Sequence, residues 1–280
     1  MKKILITGAS GCIGRSLLSE ISKEKNIEII ATYRKNILNL ESYKNIQFIK
    51  LDINKKRNNW YSFLGKPDIV VHLAWDYLNN FEDKKHESKL LQSHFLFISN
   101  LLKNGLKNIV IAGTCLEYGQ IEGELNEKMK PIPTIPYAIS KNKLRLKILK
   151  LKKDINFNFT WLRFFYIFGR NSNSKLYNDL TNSINKRNKY FKMSNGDQIR
   201  DFINIKVLCK YLNQIVINHK DYGIVNMCSG NPISIKSLVN KWITKKKSSI
   251  KPKYGYYKYI SYEPMKFWGS TKKLYKLLNK

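Results

Sequence analysis

Apolar residues follow two alternating rhythms along the first half of the chain. Short runs rich in β-branched residues read as strands: Lys3–Thr7, Ile27–Thr32, Ile46–Leu51, Asp68–Leu73, Asn108–Ala112 and Phe157–Phe165. Between them stand stretches with apolar positions three and four apart. Ile13, Leu17, Leu18 and Ile21 share one face of a helix over Ile13–Lys23. Residues 85–104 read as a long helix and 137–153 as another, with Leu144, Ile148 and Leu151 at helical spacing. Runs such as Ile69-Val70-Val71 suit strands covered on both sides. The alternation predicts an α/β fold with a mostly parallel sheet between two layers of helices.

After Gly169 the rhythm loosens. Asn171–Ser174 reads as a polar loop, 175–187 as a helix and Asn195-Gly196-Asp197 as a turn. A helix over 204–217, a strand over 223–227 and a helix over 234–245 follow, and 270–279 reads as a last helix. Residues 250–269 are rich in Tyr, Lys and Pro and show no period. The pattern predicts a larger unit over 1–168 and a smaller C-terminal α/β unit over 169–280. Segments such as 202–220 are candidates to pack back on the first.

Composition changes this picture little. The chain has 280 residues, 43% hydrophobic and 25% charged, which is ordinary for a globular protein. No run approaches the ~18 apolar residues of a membrane span. The N-terminal MKKILITGAS passes from a short apolar run straight into a glycine loop, unlike a signal peptide, so the cytoplasm is the expected location. Cys12, Cys115, Cys209 and Cys228 lie far apart without metal-ligand spacing and read as buried thiols, with no metal expected. The net charge of +31 raises the question of a polyanionic partner. Yet the charge is spread along the whole chain, and within the lysine-rich 141–153 the lysines stand mostly between the apolar positions. We read it as solvated surface and expect no nucleic acid. A basic surface also suits a diphosphate ligand.

The chemistry begins at Gly8-Ala9-Ser10-Gly11-Cys12-Ile13-Gly14, between the first strand and the first helix. Glycine permits the tight turn, a bare backbone can approach a pyrophosphate, and a helix N-terminus offers free N–H groups to an anion. In strand–loop–helix context the spacing G-x-x-G-x-x-G marks a Rossmann-type, doubly wound dinucleotide-binding domain. Gly8, Ser10, Gly11, Cys12, Ile13 and Gly14 are the expected cofactor contacts. About twenty residues on, an acid usually holds the ribose hydroxyls. Here Arg34 and Lys35 stand instead, which favours the 2′-phosphate of NADP, with NAD left open. Asp52, just after the third strand, is placed to accept from the adenine amino group. Ile53 beside it and Leu73-Ala74 after the fourth strand complete the expected set.

Tyr137 and Lys141 lie four apart, on one face of a helix. A free phenol, with a pKa of ~10, is a poor proton carrier at neutral pH, and a neighbouring ammonium favours its ionised form. Thr114 ends the fifth strand, at the carboxyl edge where open α/β sheets bind ligands. With these residues stand TGASGCIG (7–14), VHLA (71–74), AGTCLEYG (112–119), PYAISK (136–141), LRFFYIFGR (162–170), QIRDFINI (198–205) and GIVNMCSGNPISI (223–235). In this combination the chain resembles the extended short-chain dehydrogenase/reductase family, in its NAD-dependent epimerase/dehydratase group, over nearly its whole length. The resemblance implies a nucleoside-diphosphate sugar as substrate. It also implies Tyr137 as acid/base, Lys141 as holder of the cofactor ribose and Thr114 as holder of the sugar oxygen. Arg200 matches the arginine that grips the substrate pyrophosphate, and Cys115 falls beside the substrate. A homodimer is among the options.

Departures from the family narrow the reaction. Dehydratases of the group carry Asp-Glu directly after the threonine, where this chain has Cys115-Leu116. Glu117 is displaced by one and reads as structural or as part of the rim. Epimerases of the GDP-fucose-synthase type place Cys two residues after the Ser/Thr, not one. What remains is reduction of a sugar ketone at C4 of a 4-keto-6-deoxy sugar. Glu263-Pro264-Met265-Lys266-Phe267-Trp268-Gly269 and Glu117-Tyr118-Gly119 resemble the dTDP-4-keto-6-deoxysugar reductases. An epimerase with retained NAD is the alternative, and a non-catalytic, nucleic-acid-binding member of the fold is the third.

Overall fold

A computed structural model of the chain describes residues 1–35, 45–170, 172 and 174–279. Two members of the polar loop expected at Asn171–Ser174, Asn171 and Asn173, lie outside the described residues. In chain order the strands are β1 (Lys2–Thr7), β2 (Ile27–Tyr33), β3 (Ile46–Lys50), β4 (Ile69–His72), β5 (Asn108–Thr114), β6 (Gly123–Leu125) and β7 (Asn158–Phe164). They continue as β8 (Tyr166–Phe168), β9 (Tyr190–Lys192), β10 (Ile199–Asn204), β11 (Gly223–Met227), β12 (Pro232–Ser234), β13 (Lys251–Lys253) and β14 (Phe267–Gly269). The helices are α1 (Cys12–Ile21), α2 (Trp60–Phe63), α3 (Leu91–Lys103), α4 (Pro136–Leu151), α5 (Lys175–Asn185), α6 (Ile205–Ile217), α7 (Ile235–Lys245) and α8 (Lys272–Leu277).

Seven strands form one sheet in the order β11-β7-β5-β4-β1-β2-β3. Every neighbouring pair is parallel. Successive side chains of a strand point to opposite faces, and both faces are buried. Ile4, Ile6, Ile29, Val71 and Val110 pack with Leu17 and Leu18 of α1 and Leu208 and Leu212 of α6. Leu5, Ile30, Val70, Ile109 and Ile111 pack on the other face with Phe97 and Ile98 of α3 and Leu144 and Ile148 of α4. The chain reverses direction across the sheet between β1 and β4, and ligands of open α/β sheets bind at such a switch point.

Residues 205–227 return to the large sheet: α6 packs with α1, and β11 is the edge strand beside β7. The smaller part holds the three-stranded sheet β12-β10-β8 and the pairs β13-β9 and β14-β6. Its core joins Leu180 of α5, Phe191 of β9 and Leu238, Val239 and Trp242 of α7. The aperiodic stretch 250–269 thus contains two strands, each of three residues, too short for an alternation to register. The helix expected over 85–104 begins differently. His86–Leu90 is wound as a π turn, and α3 starts at Leu91. Such turns gather at functional sites because the extra residue re-aims side chains. No helix among the described residues is long and apolar enough to cross a membrane.

Candidate active site

The glycine loop is closed by its own geometry. Gly8 has φ +70°, and a Cβ there would stand 2.7 Å from the Ala74 nitrogen. A Cβ on Gly14 would stand 2.3 Å from the Gly8 oxygen. Any side chain at either position would push loop and helix apart. Gly11 is the N-cap of α1 and brings no side-chain acceptor, which leaves the first N–H groups for an anion. Beside them opens a cleft of about 520 Å³. Gly8, Ser10, Gly11, Cys12, Ile13 and Gly14 border it, as do Arg34, Lys35, Asp52, Ile53, Leu73 and Ala74. The structure thus brings together the twelve residues expected to hold a dinucleotide outside the Tyr–Lys helix. A bare-backbone cradle at an uncapped helix start fits a pyrophosphate.

At the cleft rim Arg34 is ion-paired to Asp76, a residue that sequence reasoning did not single out. The Asp52 carboxylate accepts from the backbone N–H and side-chain amide of Asn54 at 3.0 and 2.8 Å. Those bonds, led by the backbone one, lower its pKa.

Tyr137 and Lys141 project from the first turns of α4, and both are buried. Tyr137 is fixed from two sides. Its backbone N–H donates to the Phe81 oxygen at 3.0 Å, and its ring stacks on Phe81 with centroids 4.8 Å apart. Burial pushes its phenol pKa up, the Glu117 charge adds to this, and a hydrogen bond with Thr114 pulls the other way. In this state Tyr137 is a protonated donor. Lys141 Nζ donates to the Ala112 oxygen at 2.8 Å. Burial lowers its pKa to about 7, against an opposing pull from Glu117.

Thr114 ends β5, and its hydroxyl accepts from the Leu116 N–H at 3.3 Å. The Glu117 carboxylate returns the bond, accepting from the Thr114 N–H at 3.0 Å. This reciprocal cap fixes the turn that follows the strand. Glu117 also accepts from Trp161 Nε1 at 2.8 Å and Arg163 Nε at 3.0 Å, with Arg145 at 3.9 Å. Fully enclosed, it holds the frame beneath Thr114.

Cys115 packs with Tyr118, Leu125, Phe165, Cys228 and Phe267, and burial pushes its thiol pKa up. Arg200 lies in β10, 3% exposed. Its Nη2 and Nε donate to Glu263 at 3.0 and 3.3 Å, and Nη1 donates to the Ile199 and Met265 oxygens at 2.9 and 3.1 Å. The bridge between Ile199 and Lys266 and the bond from the Ile199 N–H to the Met265 oxygen lay the segment of Glu263 along β10, and no local pattern announces it.

Sequence reasoning also missed an aromatic and imidazole stack between the cleft and Lys141. His72 Nδ1 shares a hydrogen bond with the Thr7 hydroxyl at 2.8 Å, and Nε2 shares one with His94 Nδ1 at 2.7 Å. His94 stacks on Trp75 with centroids 4.2 Å apart. Trp75 Nε1 donates to His86 Nδ1 at 3.0 Å. Burial, with help from the Lys141 charge, lowers the His72 pKa to about 3 and that of His94 well below its usual value. Both rings are therefore neutral. A signal existed: His86 and His94 stand eight residues apart on a helix face that is otherwise apolar.

Known proteins agree with this architecture. The family model described as "NAD dependent epimerase/dehydratase family" matches residues 4–228. A dTDP-6-deoxy-L-talose 4-dehydrogenase (NAD(+)) from Aggregatibacter actinomycetemcomitans is 30% identical over 95% of this chain and 99% of its own. A dTDP-4-dehydro-6-deoxyglucose reductase from Escherichia coli is 24% identical over 84% and 79%. The UDP-glucuronic acid 4-epimerase from Bacillus cereus, solved with UDP-glucuronic acid and NAD, superposes with a TM-score of 0.85 at 22% identity. That match covers 99% of this chain and 93% of the epimerase, and it speaks to the fold. By its sequence over four fifths of its length, its switch-point cleft and its glycine cradle, the chain belongs to the NAD-dependent epimerase/dehydratase family.

Proposed function

We propose that the protein reduces the C4 ketone of a nucleotide-activated 4-keto-6-deoxy sugar, using NADP(H). One observation carries the reading. Around Thr114, Tyr137 and Lys141 are the groups able to move a proton without dismantling the frame. The Cys115 thiol is buried and held protonated, and every Glu117 oxygen is committed. Expelling water, or inverting a carbon beside a ketone, needs a further acid or base. Exchange of one hydride and one proton does not, and of the reactions of that kind the relatives named for 4-dehydrogenation and 4-dehydro-sugar reduction favour net reduction over epimerisation at C4. The A. actinomycetemcomitans relative is named for a dehydrogenation at position 4 of a dTDP-6-deoxy sugar, the opposite direction, with NAD(+).

In this reading the glycine loop and the start of α1 hold the dinucleotide pyrophosphate. Lys141 holds the ribose, Thr114 orients the sugar oxygen, and Tyr137 gives that oxygen its proton. The bound nicotinamide supplies the hydride. Arg200 grips the sugar diphosphate in this reading, with Glu263 as its partner until substrate competes. Arg34 and Lys35 favour a 2′-phosphate. A second reading, NAD(H), is favoured by the ion pair that already engages Arg34 and by the NAD(+) in the relative's name.

Mixing the protein with a dTDP-4-keto-6-deoxyhexose and NADPH or NADH tests this. The reduced-nicotinamide absorbance should fall and a 6-deoxysugar should form. Tyr137→Phe should lower kcat about 10²- to 10⁴-fold while the protein stays folded. Sugar interconversion without net oxidation would point to the epimerase. No turnover with any 4-keto nucleotide sugar would sink the reductase.

A further inference from the structure

Lys141 and the dinucleotide cleft are neighbours that do not meet. Among the described residues twenty-two border the cleft, and neither Tyr137 nor Lys141 is one of them. Trp75, Ala74 and His94 are. The Lys141 ammonium lies 3.8 Å from the centre of the Trp75 ring system, and the residue is 1% exposed. The indole is tethered by His94 stacked on it and by the bond from its Nε1 to His86. His86 is held in turn by the Asn80 oxygen at 2.9 Å.

We propose that Trp75 is a positioning residue for the reaction: its indole roofs the Lys141 ammonium, seals it from the water of the cleft, and must turn aside before the lysine can reach a bound dinucleotide. The proposal rests on the reading of Lys141 as the ribose-holding residue. It assigns Trp75 a role that neither the glycine loop nor the Tyr–Lys pair accounts for.

Two opposing effects meet in the indole, and their sizes decide the sign. The ring face attracts the cation, which raises its pKa by about 0.4–1.5. The ring also keeps water away, and desolvation of a buried lysine moves its pKa down by up to ~3–5 units. Desolvation is the larger. The other groups facing the ammonium leave the balance unchanged. Glu117 favours the charge from the turn after β5, against the larger effect of burial, and is itself paired with Arg163 and close to Arg145. His72 on β4 and His94 on α3 are neutral, Tyr137 on the same helix is a protonated phenol, and the thiol of Cys115 is protonated. Opening the roof therefore raises the lysine pKa.

An NMR titration of protein labelled with ¹³Cε-lysine reads this without any turnover. Exposed lysines titrate near ~10.4, so a resonance that moves near neutral pH and vanishes in Lys141→Met identifies Lys141. Trp75→Ala should shift that titration up by more than about one unit. Trp75→Phe, which keeps a ring, should stay closer to the native protein. Adding dinucleotide should perturb the resonance and change the Trp75 fluorescence, taken as the difference between native protein and Trp75→Phe. Thermal unfolding confirms that each variant is folded. An unchanged or lowered titration in Trp75→Ala would overturn the seal, and an unmoved indole on dinucleotide binding would overturn the turning aside. Absence of reductase activity would overturn the function proposed above and leave these titrations readable.

Discussion

Two buried charges flank the end of β5, and they are held in opposite ways. Glu117 is fully enclosed and has a partner for each oxygen: Arg163, Trp161 and the Thr114 backbone, with Arg145 close by. Lys141 is nearly as deeply enclosed and has one carbonyl, with the Trp75 ring at 3.8 Å and the Tyr137 ring at 5.9 Å. A charge tied on every side can only hold structure, because moving it leaves unpaired groups in a dry interior. A charge with few ties can exchange them for a ligand. The acid that the sequence reads as structural or part of the rim is thus the anchor, and Lys141 on α4 is the working group of the proposed function.

Breaking the anchor should have the largest effect. Glu117→Ala strands Arg163, whose guanidinium is enclosed and packs over the Tyr118 ring. Loss of one partner of a buried pair costs about 3–5 kcal/mol. Denaturant unfolding should show that loss, along with a displaced Thr114. A change below about 1 kcal/mol would mean that Glu117 is not the keystone of the turn.

Removing the working group should do the reverse. Lys141→Met should abolish most activity, yet leave stability at neutral pH equal or higher by about 1–3 kcal/mol, because a poorly compensated buried charge is replaced by an apolar chain. The pH dependence sharpens this. Burial places the folded-state pKa of Lys141 at about 7, below its ordinary 10.5. Below pH 7 both states carry the charge, and the folded protein bears the full penalty. From 7 to 10.5 the unfolded chain still holds a proton that the folded one has lost, so this residue makes stability rise with pH. The native protein minus Lys141→Met should show that rise in urea unfolding across the window. A flat difference would refute the depressed pKa.

The same contrast explains what could be read from the sequence. The parallel sheet was legible because its strands are mostly apolar runs of four to seven residues set between helical stretches, and the glycine cradle because its residues are contiguous. Tyr137 and Lys141 were legible because one helical turn joins them. Glu117 with Arg163, Arg200 with Glu263, and Trp75 with His94 are separated by 46, 63 and 19 residues, and no local rule predicts such meetings. The three-residue strands β6, β8, β9 and β12–β14 fall below the length at which alternation becomes a signal.

The smallest effect on stability belongs to a third pair, at the cleft rim. Arg34 and Asp76 are 47% and 32% exposed in their side chains. Water and salt screen such a pair to ~0–1 kcal/mol, so Asp76→Asn should barely move the unfolding transition. Its effect belongs to recognition instead. The carboxylate occupies the Arg34 guanidinium, the group that would otherwise be free for a 2′-phosphate, and adds a negative charge beside it. Removing the carboxylate frees Arg34 beside Lys35 for a bidentate grip on the phosphate. The ratio of kcat/KM for NADPH to that for NADH should therefore rise in Asp76→Asn, by roughly tenfold if about 1.4 kcal/mol of new pairing is gained. Arg34→Ala should lower the same ratio. If neither variant changes it, Arg34 is a rim residue with no part in choosing the dinucleotide. The preference would then rest on Lys35 or on groups deeper in the cleft.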